Sequence, residues 1–272
     1  MTKFSSHRLA VTLAVLGLLG AACSSSARST GSAATTAAPS ATTTASGVTG
    51  SITVFAASSL TKSFNAIGAA FSVANPGAKV TFSYDASSAL VQEVIQGAPA
   101  DVFASADTSN MDRLTKAGLN ASTPAVFATN ILEIIVAKGN PKAITGVSSL
   151  ASPNLKVVLC AAAVPCGKYA DQALAKANVK VTPVSLEANV KAVVTKVTSG
   201  EADAGIVYAT DVEAAGGAAQ GVAIPADVNV VAKYPIASVK NSKSPGVDAA
   251  FIAFVTGPEG QAILAKYGFG KP

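Results

Sequence analysis

From Ser51 onward the chain keeps changing its hydrophobic period. SITVFAA at 51–57 is a β-rich run, and LTKSFNAIGAAF just after it sets Leu60, Phe64, Ile67 and Phe71 on one helical face. The switch recurs in KVTFSY then SSALVQEVIQ, DVFASA then TSNMDRLTKAG, KVVLC then GKYADQALAKA, and VTPVS then ANVKAVVTKVTSG, before a last run GIVYA. Strands alternating with helices pair in parallel, because each helix returns the chain across a sheet face to start the next strand in the same direction. Two segments break the rhythm: NILEIIVAKG and AKYPIASVK are longer strands suited to run between two bodies, and PGVDAAFIAFVTG with PEGQAILAKYG closes the chain as a helical pair. The expectation is an α/β chain of two parallel or mixed-sheet lobes joined by two crossover strands, residues 49–129 plus 234–272 forming lobe 1 and 130–233 lobe 2.

Half of the 272 residues are apolar, 6% are aromatic and 13% are charged, which suits a sizeable, close-packed interior and excludes general disorder. Histidine excludes more. The only one, His7, lies in the N-terminal address described next, so the remaining chain has no imidazole for Ser-His-Asp or Cys-His catalysis, nor for a histidine-containing zinc site. The formal charge of +5 loses Lys3 and Arg8 with that address, Arg113 is the one arginine after the linker, and no basic run remains to follow a nucleic-acid backbone. No metal site, cofactor or nucleic-acid partner is expected, and the chain is expected to act as a monomer.

Lys3, His7 and Arg8 precede LAVTLAVLGLLGAA and Cys23, a basic n-region followed by an apolar stretch shorter than the ~20 residues of a spanning helix. Residues 1–23 therefore read as an export signal. LLGAAC is similar to a bacterial lipobox, with Gly20 where leucine is usual; lipidation at Cys23, with anchoring to the outer face of the cytoplasmic membrane, stands beside ordinary secretory cleavage. Residues 24–48, almost wholly Ser, Thr, Ala and Gly, offer nothing to bury and read as a flexible tether.

In open α/β sheets a ligand sits beyond the carboxyl ends of the strands, where helices begin and their first N–H groups point outward. The loops there carry Ser58 and Ser59 after the first strand and Ser87 and Ser88 after the second. Taken singly, a serine in such a place reads first as a helix N-cap and only second as a ligand donor.

VFAASSLT, SYDASSALVQEV, GAPADVFASAD, GIVYATD, YPIA and the terminal KYGF, in this order between Ser51 and Phe269, resemble the molybdate-binding proteins of bacterial ABC transporters. The resemblance implies a type II periplasmic-binding-protein fold that closes on a tetrahedral oxyanion, molybdate or tungstate, and delivers it to an ABC permease in the membrane. It further implies hydroxyl and amide donors at Ser59 and Ser87 in lobe 1, backbone N–H donors at Cys166 and Val190 in lobe 2, and a phenol donor at Tyr208. The chemistry is consistent with that set: molybdate at neutral pH is an unprotonated dianion, so its oxygens only accept, and hydroxyls with helix N-termini supply donors without a full positive charge.

Asp85, just before the second serine loop, fits this chemistry least. It either orients the Ala86–Ser88 turn through local backbone amides or faces a dianion it would repel. Tyr208 has a local alternative too, a strand tyrosine with its hydroxyl satisfied by a neighbour. Cys160 and Cys166 flank AAAVP; export favours a disulfide between them, worth about 2 kcal/mol in the chain-entropy description, and the rival is a reactive thiol beside Lys168. Other functions remain to be weighed: the same fold on sulfate, phosphate or another small anion; a secreted enzyme with a Ser59–Lys62 pair; a sensory lobe of a transcription factor, which lacks a helix-turn-helix segment here.

Overall fold

In the computed structural model, residues 47–272 are described; the expected export signal, Cys23 and nearly all of the tether fall within residues 1–46, outside them. The period switches become strand–helix units. Strands β1 (Gly50–Ala57), β2 (Ala78–Asp85) and β3 (Val102–Ala104) are linked by helices α1 (Thr61–Ala74) and α2 (Ser87–Ile95), and β1 pairs in parallel with both of the others. After α3 (Thr108–Lys116) comes the long strand β4 (Ala125–Ala137), and a second parallel set follows. There β5 (Val157–Cys160) lies between β6 (Ser185–Glu187) and β7 (Ala204–Tyr208), linked by α4 (Pro165–Lys176) and α5 (Val190–Thr198). The chain continues through α6 (Ala209–Ala215), β8 (Ala219–Ala223) and the second long strand β9 (Val231–Ser238), and ends in α7 (Pro245–Thr256) and α8 (Pro258–Lys266).

The strand order is β2-β1-β3-β9-β4-β7-β5-β6, with β8 on β4. This is the two-lobed arrangement with two crossover strands. β4 pairs antiparallel with β9 from Ala125 to Ile131, then exchanges that partner for β7 and β8 from Leu132 onward, while β9 runs on to pair with β3. Both sheets are therefore mixed, and the limits expected at 129/130 and 233/234 fall inside the β4–β9 ladder, where Thr129 faces Lys233.

The lobe-1 interior is built on the helical face visible in the sequence: Leu60, Phe64, Ile67 and Phe71 are all buried, and Phe64 meets the rings of Phe127, Phe251 and Phe82 at 5.6–6.1 Å. Lobe 2 packs Val193 and Val197 of α5 on Val157, Val158 and Ile206. Two sequence expectations change. Of VTPVS only Ser185 enters a strand, Pro183 having no N–H to give a ladder. β8, AQGVA, was not anticipated; its glycine and glutamine hide any alternation, and its partner β4 lies far away in sequence.

Candidate functional site

The parallel strands of lobe 1 end at Ala57, Asp85 and Ala104, and those of lobe 2 at Cys160, Glu187 and Tyr208. Residues at or just beyond these ends enclose a small cavity, with about 10 Å³ of room for the centre of a water-sized sphere. That is far less than sites for drug-sized ligands offer, so the space suits a small ion. Ser58, Ser59, Asp85, Ser87 and Ala106 line it from lobe 1, and Pro165, Cys166, Asn189, Val190 and Tyr208 from lobe 2. All five residues singled out in the sequence, Ser59, Ser87, Cys166, Val190 and Tyr208, are on this one wall-to-wall surface.

Helix starts supply much of it. Ser87 is the first residue of α2, Val190 the first of α5, Pro165 and Cys166 the first two of α4, and Tyr208 caps α6. The first N–H groups of a helix have no partner within it, and the peptide dipoles add partial positive charge there. Pro165 costs α4 nothing, since the N–H it lacks would have been one of the unpaired ones. Cys160 and Cys166 are joined as a disulfide, with Cα atoms 5.7 Å apart, so the reactive-thiol reading fails: neither sulfur is a free thiol. The closed loop also requires Gly167, where a Cβ would sit 2.1 Å from the Ala161 carbonyl oxygen. No lining residue is a lysine or arginine.

The serines are not N-caps. Ala86 precedes α2, and neither α1 nor α2 has a side-chain cap. Instead the Ser87 hydroxyl accepts the Ala106 N–H at 2.9 Å, and the Ser59 hydroxyl is 3.1 Å from the Tyr234 hydroxyl. The capping preference is local, and here tertiary partners claim the same oxygens. Tyr208 differs from both. It is 1% exposed, yet its hydroxyl has no hydrogen-bond partner among the described residues, so the local alternative for this phenol does not hold. Burial, reinforced by Tyr234, Tyr169, Asp211 and Asp107, pushes its pKa well above 10.0, so it remains a protonated donor.

Asp85 does orient its turn: its Oδ1 accepts the Ala86 N–H at 2.7 Å. The same oxygen also accepts from the Asn189 side-chain amide at 2.9 Å, across from lobe 2, while Asn189 caps α5 through Ala192. Further polar contacts cross the same way. Lys168 of α4 donates to Ser109 at 2.9 Å and lies 3.9 Å from Asp107, and Lys62 of α1 donates to the Ala214 carbonyl at the end of α6. Lys62 thus faces α6 and is not hydrogen-bonded to Ser59, which removes the geometric support for a Ser-Lys nucleophile. Behind the cavity, Lys191 pairs at 3.1 Å with the buried Asp211, whose pKa burial raises and the lysine lowers.

Sequence reasoning did not assign Asn189, Ala106 or Tyr234 to the site. Asn189 carried a signal as the polar residue opening ANVKAVV, but nothing near it pointed to Asp85, 104 residues earlier.

A family model of bacterial extracellular solute-binding proteins matches residues 52–270. The chain belongs to this family. Among solute-binding relatives, the molybdate-binding protein ModA of Mycobacterium tuberculosis is 44% identical over 222 residues, covering 82% of this chain and 85% of that one. ModA of Escherichia coli is 32% identical, covering 81% and 89%. In structure, the substrate-binding domain of a putative molybdenum ABC transporter from Clostridium difficile superposes with a TM-score of 0.63 at 28% identity, over 82% of this chain and 99% of that chain. The sulfate-binding protein SubI of Mycobacterium tuberculosis superposes at 0.72 with 23% identity, over 80% and 86%, which shows the shared fold alone.

Proposed function

We propose that this solute-binding protein captures molybdate, and with it tungstate of the same charge and shape, in the cavity between its lobes and delivers it to an ABC permease. The observation that carries the proposal is the Tyr208 hydroxyl. A buried hydroxyl without a partner costs about 1–3 kcal/mol, and here it belongs to a small cavity lined also by Ser59, Ser87 and helix N-termini, beside Asp85, whose Oδ1 is already engaged by the Ala86 N–H and the Asn189 amide. An acceptor-only anion relieves that cost and leaves no proton of its own facing a donor. Ser59 and Ser87 would bind from lobe 1, and Cys166 N–H, Val190 N–H and Tyr208 from lobe 2. Lobe limits at 129/130 and 233/234 let β4 and β9 act as the hinge. No bond is made or broken: the anion favours closure because only the closed form presents both walls to it.

Cys23 is the proposed lipid site and the tether the leash by which a monomeric globule reaches its permease. The 44% identity to molybdate-binding relatives supports molybdate over sulfate, for which the matching sulfate-binding protein of Synechococcus elongatus is 27% identical. Calorimetric titration of residues 48–272 with molybdate, tungstate, sulfate and phosphate at neutral pH tests the reading. One-to-one binding of the first two, with weak or absent response to the others, is expected; preference for sulfate or phosphate would overturn it.

A further inference from the structure

Among the contacts that cross between the lobes, the bond from Asn189 to Asp85 is the most constrained. The Ala192 N–H can only donate, so Asn189 accepts it through Oδ1 at 3.1 Å, and the amide NH2 is left to donate to the Asp85 carboxylate at 2.9 Å. Asp85 is pinned as well, its Oδ1 taking the Ala86 N–H at 2.7 Å. Each end of the bond is thus tied to the backbone of its own lobe before the two meet. Lys168 and Lys62 also cross, yet their long stems can follow a lobe that moves away. Two short side chains held at their own backbone cannot, and a separation beyond about 3.5 Å ends a hydrogen bond.

Both residues line the cavity. A carboxylate there opposes a dianion, and a site with so little room for water screens the repulsion poorly. The two donors on Oδ1, one from each lobe, occupy its lone pairs and offset its charge. We infer that Asp85 and Asn189 form a closure latch: on closing, Asn189 converts a carboxylate that repels the anion into an acceptor that holds the lobes together. Asn189 is also the cap of α5, whose first residue is Val190, so the latch sets how the start of that helix meets the lobe-1 wall. Both are positioning residues. The latch rests on the oxyanion function proposed above and adds to it the contact that makes closure compatible with a carboxylate at the site.

The test is a double-mutant cycle read by calorimetric titration with molybdate and, in parallel, sulfate, with melting curves to confirm folding. Asn189→Ser keeps a capping hydroxyl for the Ala192 N–H and loses the reach to Asp85. It should weaken molybdate binding at least about tenfold, the scale of one hydrogen bond to a charged group, and mainly through faster dissociation. In an Asp85→Ala background the same change should cost less than about twofold, because the latch has lost its acceptor. Asp85→Ala alone should be milder than Asn189→Ser, since the repelling charge leaves together with the bond. Asn189→Asp keeps the cap but sets two carboxylates against each other, and should be the most damaging; adding Asp85→Asn to it restores one donor and one acceptor in reversed roles and should recover most of the affinity. Equal losses from Asn189→Ser with and without Asp85, wild-type affinity in Asn189→Ser, or no recovery in the exchanged pair overturns the latch while leaving the oxyanion function standing. A wild-type protein that binds neither anion removes both.

Discussion

The two walls of the cavity hold their donors in opposite conditions. On lobe 1, Ser59 and Ser87 are already engaged, the first by Tyr234 and the second by the Ala106 N–H. On lobe 2, Tyr208 is as deeply buried and its hydroxyl is engaged by none of the described residues. The lobe-1 wall is therefore part of the folded framework, built with or without a ligand, whereas the lobe-2 wall contains a polar group whose energy improves only when an acceptor arrives. A ligand changes a conformational equilibrium by its differential affinity for the two states. The unpaired phenol is a concrete source of that difference.

The contrast can be broken most forcefully at Ser87. Ser87→Ala should lower the melting stability of the ligand-free protein by about 1–3 kcal/mol, because it leaves the buried Ala106 N–H without its acceptor, and it should weaken molybdate binding as well. Stability and affinity fall together on this wall. Thermal unfolding beside calorimetry reads both, and unchanged stability would mean that the Ala106 contact contributes nothing.

Tyr208→Phe should separate the two quantities. Removing an unsatisfied buried hydroxyl should raise the stability of the ligand-free protein by up to about 1 kcal/mol while weakening molybdate about tenfold or more. The pH dependence carries the same signature. With a folded-state pKa above 10.0, the folded chain keeps a proton that the unfolded chain releases, so this phenol's contribution is constant below about pH 10 and is lost as the pH rises further. The alkaline fall in stability should be shallower in Tyr208→Phe than in the wild type, and an equally steep fall in both would remove Tyr208 as its source.

The smallest effect is expected at the rim. Lys168 is substantially exposed and joins α4 to Ser109 and Asp107 on the other lobe. Lys168→Met should change stability and affinity by less than about 1 kcal/mol each, as exposed ion pairs do, and the change should shrink in salt. A larger, salt-independent loss of affinity would move the closing force from the cavity walls to the rim.

How much of this the sequence discloses follows from the range of each contact. Alternating periods placed the strands, the helical face of Leu60, Phe64, Ile67 and Phe71, and the long strands that became β4 and β9, because those signals are written within a dozen residues. The disulfide was legible for the same reason, its cysteines being 6 apart. The hydroxyl partners were not: Ser59 and Tyr234 are separated by 175 residues, and Asp85 and Asn189 by 104. A serine after a strand looks like a cap until its distant partner is known. For Asp85 the local expectation, the bond to the Ala86 N–H, described half of its role, and the fold supplied the half that crosses between lobes.

The most direct test is to locate the ion. Crystals grown with molybdate, measured at the molybdenum absorption edge, should show a single strong anomalous peak in the cavity, with its oxygens within hydrogen-bonding distance of the Tyr208, Ser59 and Ser87 hydroxyls. A peak elsewhere, or one in the cavity that leaves the Tyr208 hydroxyl unpaired, would contradict the assignment of that phenol as the group through which the anion joins the two walls.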